Sequence, residues 1–390
     1  MDVHGIVYAY HSSAALGELT RTRTNASLPF AGRYRLIDFA LSCLSNAGVR
    51  DVGVIMQRDF QSLLDHVAGG KAWDISRRRG GMRLLPPFGD NRGGDYAGTA
   101  EALNAVMGYL RDIPQEHIVL YPADVLCNLD LTAAIRQHLR SGCGITAVTT
   151  SCDPDVEHYR FVAGEDGLAK QLLFRQVGHG AGEAASEIYI ARKDVLLQLL
   201  DRCEAANRFH FHTDCLAAYL ADGGKIDLFQ HEGFLKRIDS VADYYSASMA
   251  MLKPGPRGDL FPADRPVRTK ERSDVSTYYG EQARVENSLI ADGCYIEGSV
   301  KNSILFRGVR VAPGAVVENC ILMQDTTVAS DATMKYIIAD KDVTVSEHEL
   351  LAGSEKLPLV IPKRSKLGSR QKTETSGVIP RLTAWDDICP

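Results

Sequence analysis

The sequence predicts an α/β domain followed by a parallel β-helix built from six-residue steps. Three observations lead there. At 390 residues the chain exceeds what one hydrophobic core normally serves, so two domains are expected. From residue 5 to about 252, short apolar runs alternate with helical periods. Beyond residue 284, apolar residues recur at every sixth position instead.

In the first part, GIVYAY (5–10) and VGVIM (52–56) read as strands, with Ile37, Leu41 and Leu44 on one helical face between them. Leu103, Val106, Met107 and Leu110 form a second helical stripe, HIVLY (117–121) a third strand, LTAAIRQHLRSG a helix and ITAVTT (145–150) a strand. Strands alternating with helices imply a mostly parallel sheet covered on both faces. Ligands of such sheets bind beyond the carboxyl ends of the strands, which directs attention to the loops after Tyr10, around Pro86 and at Asp124. KPGPRGDLFPADRP (253–266) is rich in Pro and Gly and reads as a linker. The divisions expected are 1–252, a linker over 253–284, and a coil domain over 285–370 with a tail to 390.

The hexads are Ile290 and Ile296; Leu305, Val311 and Val317; Leu322, Val328 and Met334. Turn residues such as Gly293, Pro313, Gly314 and Asp325 separate them, as a stacked-coil architecture requires. Hydrophobic residues at 45%, charged residues at 24% and a net charge of −5 suit a globular chain and argue against a nucleic-acid binder. Arg77, Arg78 and Arg79 form the densest basic run, read as a solvated loop or an anion contact. No apolar run reaches the roughly 18 residues of a membrane span. The nine cysteines lack paired short spacings, which suits a reduced, cytoplasmic protein.

The run PFAGRYRLIDFALSCLSNAGVRDVGVIMQRDFQSLLDHVAGG (29–70) resembles the sugar-nucleotide core of the ADP-glucose pyrophosphorylases (glucose-1-phosphate adenylyltransferases). LPP (85–87), YAGTAEA (96–102), YPADVLCNLD (121–130), VADYYSASMAML (241–252) and the hexads of 287–323 extend the resemblance in order. It implies a Rossmann-like nucleotidyltransferase domain of the GT-A-like kind, followed by a left-handed β-helix. The implied reaction joins ATP and glucose 1-phosphate into ADP-glucose and pyrophosphate with Mg²⁺.

The positions that carry that chemistry differ here. Where the family has G-G-x-G-x-R-L, this chain reads Tyr10, His11, Ser12, Ser13, Ala14, Ala15, Leu16. Glycines there let backbone N–H groups approach phosphates, and the Arg, at the position of Ala15, neutralises the leaving group. The Lys of the family's R-A-K-P segment is Asn25, and the E-K-P of its sugar-phosphate site becomes LLFRQVGHG (172–180). Of the two metal-binding Asp residues, Asp124 matches the first; Arg237 stands at the second. A fixed cation repels a divalent ion, although Asp239, two residues on, is an alternative ligand. Tyr96, Gly98, Thr99, Glu101 and Asp124 remain as the remnants of a nucleotide or sugar-phosphate pocket.

The resemblance therefore implies a non-catalytic subunit of the GlgD type. It would modulate a catalytic partner in a hetero-oligomer, a tetramer, with Mg²⁺ held by that partner and no cofactor in this chain. A sugar phosphate or nucleotide effector is expected. The alternatives are a weakly active adenylyltransferase using Asp124 and Asp239, or a free-standing sensor of sugar phosphate or nucleotide. His210 and His212 read as pocket wall, because no third metal ligand lies near them. Tyr295, Phe306 and Tyr336 are candidate interface anchors or, equally, rings packed against the first domain.

Overall fold

The computed structural model describes residues 2–76, 80–86, 96–151, 158–177 and 180–368. Arg77–Arg79, Pro87 and the tail beyond Gly368 lie outside them. The first strand, β1 (Val3–Tyr8), is buried at every position, which places it at the centre of a sheet. Parallel to it run β2 (Val52–Ile55) on one side and β4 (His117–Pro122) on the other, with β3 (Met82–Leu85) beyond β2. The remaining strands are β5 (Ile145–Thr150), β6 (His158–Ala163), β7 (Ala169–Gln176), β8 (Glu183–Arg192) and β9 (Ile226–Gln230). The sheet runs β7-β6-β8-β4-β1-β2-β3, with β5 paired to β8 and β9.

Here the expectation of a mostly parallel sheet needs correction. β8 is antiparallel to β4, β5 and β6, and β7 is antiparallel to β6, so the sheet is mixed. The β6–β7 pair closes through a turn in which Gly167, at φ 74°, donates to the Gly164 carbonyl. Such a connection needs no crossover helix, and helical periodicity cannot report it.

Helix α1 (Leu36–Asn46) is buried on nearly all sides. Ile37, Ala40, Leu41 and Leu44 face the sheet, whereas Leu36 and Phe39 face away into a second apolar cluster. That cluster joins Leu16, Phe30, Tyr244 and Met251 to Ile304, Phe306, Ile321, Met323 and Ile338 of the coil domain. Phe306 is thus fully buried between the domains and is no exposed anchor. Tyr336 is half-buried against the same cluster, and Tyr295 stays 41% exposed. Besides apolar contact, Arg23 pairs with Asp340 across the junction, both buried, and Tyr245 Oη donates to Asn319 O at 2.8 Å.

The segment 253–266 is also more ordered than a linker. Pro254–Leu260 is a helix whose first residue is proline, tolerated because an N–H at that position would have no helical partner. Leu260 is buried in the interdomain cluster. The first coil strand, Tyr278–Tyr279, lies inside the range expected to be linker, and the next, Arg284–Glu286, begins at its last residue.

The second domain is a three-sided stack of parallel strands, in sheets of six, five and five. Ile296, Val311, Val328 and Val345 align in one inward column, and Val300, Val317 and Met334 in another. All seven are buried. The corners demand a left-handed backbone, and one corner shows Asn287, Asn302 and Asn319 at φ 42–54°. Asn adopts that region more readily than most residues, and here the side chains also bond from coil to coil, Asn287 Nδ2 donating to Asn302 Oδ1 at 2.8 Å. Tyr336 takes the next place in the column at φ 53°.

Candidate functional site

A cleft of about 940 Å³ opens at the carboxyl end of β1, β4 and β5, lined among others by His11, Tyr96, Gly98, Thr99, Glu187, His210, His212, Arg237 and Asp239. Asp124 follows β4 and is 2% exposed. Lys236–Arg237 pairs antiparallel with Val125–Leu126, setting Arg237 opposite Val125 and its side chain beside Asp124. The guanidinium meets three carboxylates. Nη2 is 3.6 Å from Asp124 Oδ2, Nε is 3.0 Å from Asp239 Oδ2, and Nη1 makes a very close pair with Glu187 Oε1. His11 completes the cluster, with Nδ1 3.1 Å from Asp124 Oδ2 and 3.2 Å from Arg237 Nη2.

The protonation states follow from these charges. Burial alone would raise Asp124, but Arg237 and His11 outweigh it and hold the carboxyl down at about 2. Burial opposes ionisation of Glu187 too, and Arg237 with His212 pulls it below the usual range. Arg237 is held well above the ordinary value, because Glu187, Asp124 and Asp239 together overcome its burial. Asp239 goes the other way: burial, and the neighbouring Asp124 and Glu187, raise it against the opposing pull of Arg237.

This donor set does not fit a divalent cation. Asp124 Oδ1 is buried without a hydrogen-bond partner, but an ion there would face the guanidinium beside Oδ2 of the same carboxylate. Asp239, the alternative second ligand, is drawn to Arg237 Nε. Among the described residues no group of three His, Cys, Asp or Glu side chains is arranged to hold a metal. The arrangement places a permanent organic cation among the acids instead.

Glu187 is the residue that sequence reasoning missed. It sits in β8 at φ 66°, where the β5 pairing slips between Ala185 and Tyr189. A non-glycine residue in that region is uncommon and points to a bulge that re-aims a side chain. The only signal for it was an acid inside an otherwise small and apolar strand, AASEIYIA.

The loop after β1 is tied shut. Asn25, fully buried, accepts from Ser13 N at 3.1 Å and donates to Ile238 O at 3.2 Å, while its own N–H reaches His11 O at 2.9 Å. A residue at the expected position of a phosphate cation thus serves as a clamp between the loop and the Arg237 strand. Ala15 is exposed in the 3₁₀ segment Ala14–Thr20 and sends no charge into the cleft. Tyr10 donates to Thr99 Oγ1 at 3.2 Å and packs edge-on against Tyr96, ring centroids 5.2 Å apart. Glu101 accepts from Ala97 N at 2.6 Å and caps its own turn. Gly98 is extended at φ −171° yet has no room for a β-carbon, which would lie 2.3 Å from Phe209 O.

His210 and His212 line the cleft, His212 on a π-helical turn (Phe211–Leu216) and His210 extended just before it. His212 stacks on Tyr159 at 4.4 Å and bonds Tyr189 Oη at 2.6 Å, so it is a wall residue with its ring nitrogen engaged.

The chain is similar to known proteins over most of its length. Residues 12–253 match the Nucleotidyl transferase family model and residues 274–356 the model described as GlmU-like, C-terminal hexapeptide. The Glycogen biosynthesis protein GlgD of Bacillus subtilis (strain 168) is 30% identical over 301 residues, covering 77% of this chain and 78% of that protein. The chain belongs to the glucose-1-phosphate adenylyltransferase family. The Glucose-1-phosphate adenylyltransferase of Clostridium botulinum (strain Alaska E43 / Type E3) is 28% identical over 323 residues, 81% of this chain and 83% of that protein. That of Bacillus cereus (strain Q1) is 29% identical over 309 residues, 77% and 82%. Among the described residues no helix is long and apolar enough to cross a membrane.

Proposed function

We propose that this family member is a non-catalytic, regulatory subunit of glucose-1-phosphate adenylyltransferase in glycogen synthesis. It works in a hetero-oligomer with a catalytic homologue, which carries the Mg²⁺ and the chemistry. With identities of 28% and 30%, the relatives do not separate the two roles, and the reading rests on the site's residues. The observation that carries it is Arg237, bound by Asp124, Glu187 and Asp239 where nucleotidyl transfer needs a metal. The loop of Tyr10 to Ser13 adds to it, being closed by Asn25 and by the Tyr10–Thr99 bond. Charge neutralisation supplies most of the rate in such transfers, so its loss at several points removes activity rather than trimming it.

The test is pyrophosphate release by this chain alone, by a catalytic homologue alone, and by the mixture, with solution mass measured in parallel. The chain alone should give no turnover, and the mixture should form a larger species with altered effector response. Turnover by the pure chain at about 1 s⁻¹ or above, within the ordinary range of enzymes, overturns the reading. So does a mixture whose components stay separate.

A further inference from the structure

Cys203 and Cys215 hold their sulfurs 2.8 Å apart, and both side chains are buried, at 4% and 0% exposure. Cys203 lies in the last turn of the helix Lys193–Ala205, and Cys215 in the π-helical turn Phe211–Leu216 that walls the cleft. A disulfide is roughly 2.05 Å long, so the sulfurs stand within about 1 Å of bonding distance. The local chain brings them together. Asn207, at φ 53°, ends the helix in a left-handed cap, and Arg208 N donates back to Cys203 O at 2.8 Å. Phe209 O then accepts from Ala100 N at 3.0 Å, which fixes the approach of the π-helical turn.

The two sulfurs are not equivalent. Glu204 to Arg208 are exposed, so Cys203 lies beside the surface in a helix end, where fraying admits a small oxidant. Cys215 is enclosed, and burial together with the neighbouring Cys203 raises its thiol above the ordinary range. Position rather than charge favours its reaction, because a partner already at 2.8 Å makes the step intramolecular. Cys43 and Cys127, also buried, each meet the Tyr121 hydroxyl instead, at 3.6 and 3.0 Å.

We propose that Cys203 and Cys215 are a modification site, at which a peroxide closes an intrachain disulfide behind the cleft wall. The Cys203 sulfur attacks one oxygen of hydrogen peroxide: an S–O bond forms, the O–O bond breaks, and the thiol proton leaves in a first water. The Cys215 sulfur then attacks the Cys203 sulfenic acid. The S–S bond forms, the S–O bond breaks, and the second thiol proton leaves in a second water. Two electrons pass from the thiols to the peroxide, and a dithiol returns them. The cross-link ties the turn carrying Phe211 and His212, both of which line the cleft, to the helix behind it. The pair lies apart from Arg237 and does not depend on the role of that residue.

Peptide mapping of the full-length chain tests it. The protein is exposed to hydrogen peroxide in native buffer, alkylated in denaturant, digested without reductant and analysed by mass spectrometry. Cleavage after Arg208 separates the two cysteines, so a cross-link joins two peptides. The expected product is that pair, two hydrogens lighter than its reduced parts and released by dithiothreitol, with Cys43 and Cys127 still open to alkylation. The cross-linked chain should melt several degrees higher, and amides of 211–216 should exchange about tenfold more slowly. Cys203→Ala should abolish the product and Cys143→Ala should leave it unchanged; the map of the unaltered chain stands by itself if Cys203→Ala fails to fold. Cys203 and Cys215 remaining alkylatable after methionines have oxidised overturns the proposal. So does loss of the Cys43 and Cys127 thiols at the same rate, which would trace the oxidation to unfolded chain.

Discussion

Arg237 neutralises acids that would otherwise repel one another in a nearly closed space. Asp124 is 2% exposed and the Arg237 side chain 27%, so their attraction is only partly screened by water. Replacing Arg237 by Gln leaves Asp124 and Glu187 facing each other with only the His11 and His212 imidazoles beside them. A loss of about 3 kcal/mol in urea denaturation is expected, as for other broken buried pairs. Adding Glu187→Gln to that variant should recover part of it, so the double-mutant cycle closes with a non-zero coupling. The pH dependence has a definite sign. Asp124 titrates at about 2 in the folded chain against 3.8 when free, so its contribution is complete above pH 4 and disappears as pH falls through 2. That contribution is about 2 kcal/mol. In Arg237→Gln the acid transition should begin at higher pH, and an unmoved midpoint would show that Arg237 does not hold Asp124 ionised.

At the scale of elements, the cleft wall is set by the approach of Thr99–Asn104 to the π-helical turn Phe211–Leu216. Phe209 O accepts from Ala100 N at 3.0 Å, and Gly98 lies beneath it. Gly98→Ala brings no backbone penalty, since extended backbone suits alanine, but its methyl would sit 2.8 Å from His210 Nδ1 as well as against Phe209 O. The wall must therefore shift outward. Overpacking of this kind costs about 1–3 kcal/mol, visible as a lower melting temperature. Faster amide exchange should appear across 209–216 and not in the coil domain. Exchange unchanged in that turn would mean the wall does not rest on Gly98.

At the scale of the molecule, the two domains share an apolar cluster and a buried ion pair, Arg23 with Asp340. Such sharing predicts a single cooperative unfolding transition. Asp340→Asn removes the counter-charge from a buried guanidinium and should cost about 3–5 kcal/mol. It should also split calorimetric unfolding into two steps, with the coil stack, whose contacts are mostly internal, melting last. A single transition of unchanged midpoint would place the coupling in the apolar cluster alone.

Much of this was readable from residues in order along the chain. The hexad columns at Ile296, Val311, Val317 and Val328 follow from a period that only stacked coils need, and the turns at Gly293, Gly314 and Asp325 follow from the corners between them. The replacements at Ala15, Asn25 and Arg237 were visible too, because a missing charge is a property of one position. Tertiary structure decided the rest. Antiparallel insertion of β8, burial of Phe306 between domains and the helical turns in 254–260 depend on what packs against each segment, which local periodicity does not encode. Glu187 reaches Arg237 from 50 residues away only because a bulge turns it inward, and Asn25 becomes a clamp only when Ile238 arrives beside it. Residue identity sets which charges are available; long-range packing sets which of them meet, because an ion pair depends on distances that the chain acquires only when folded.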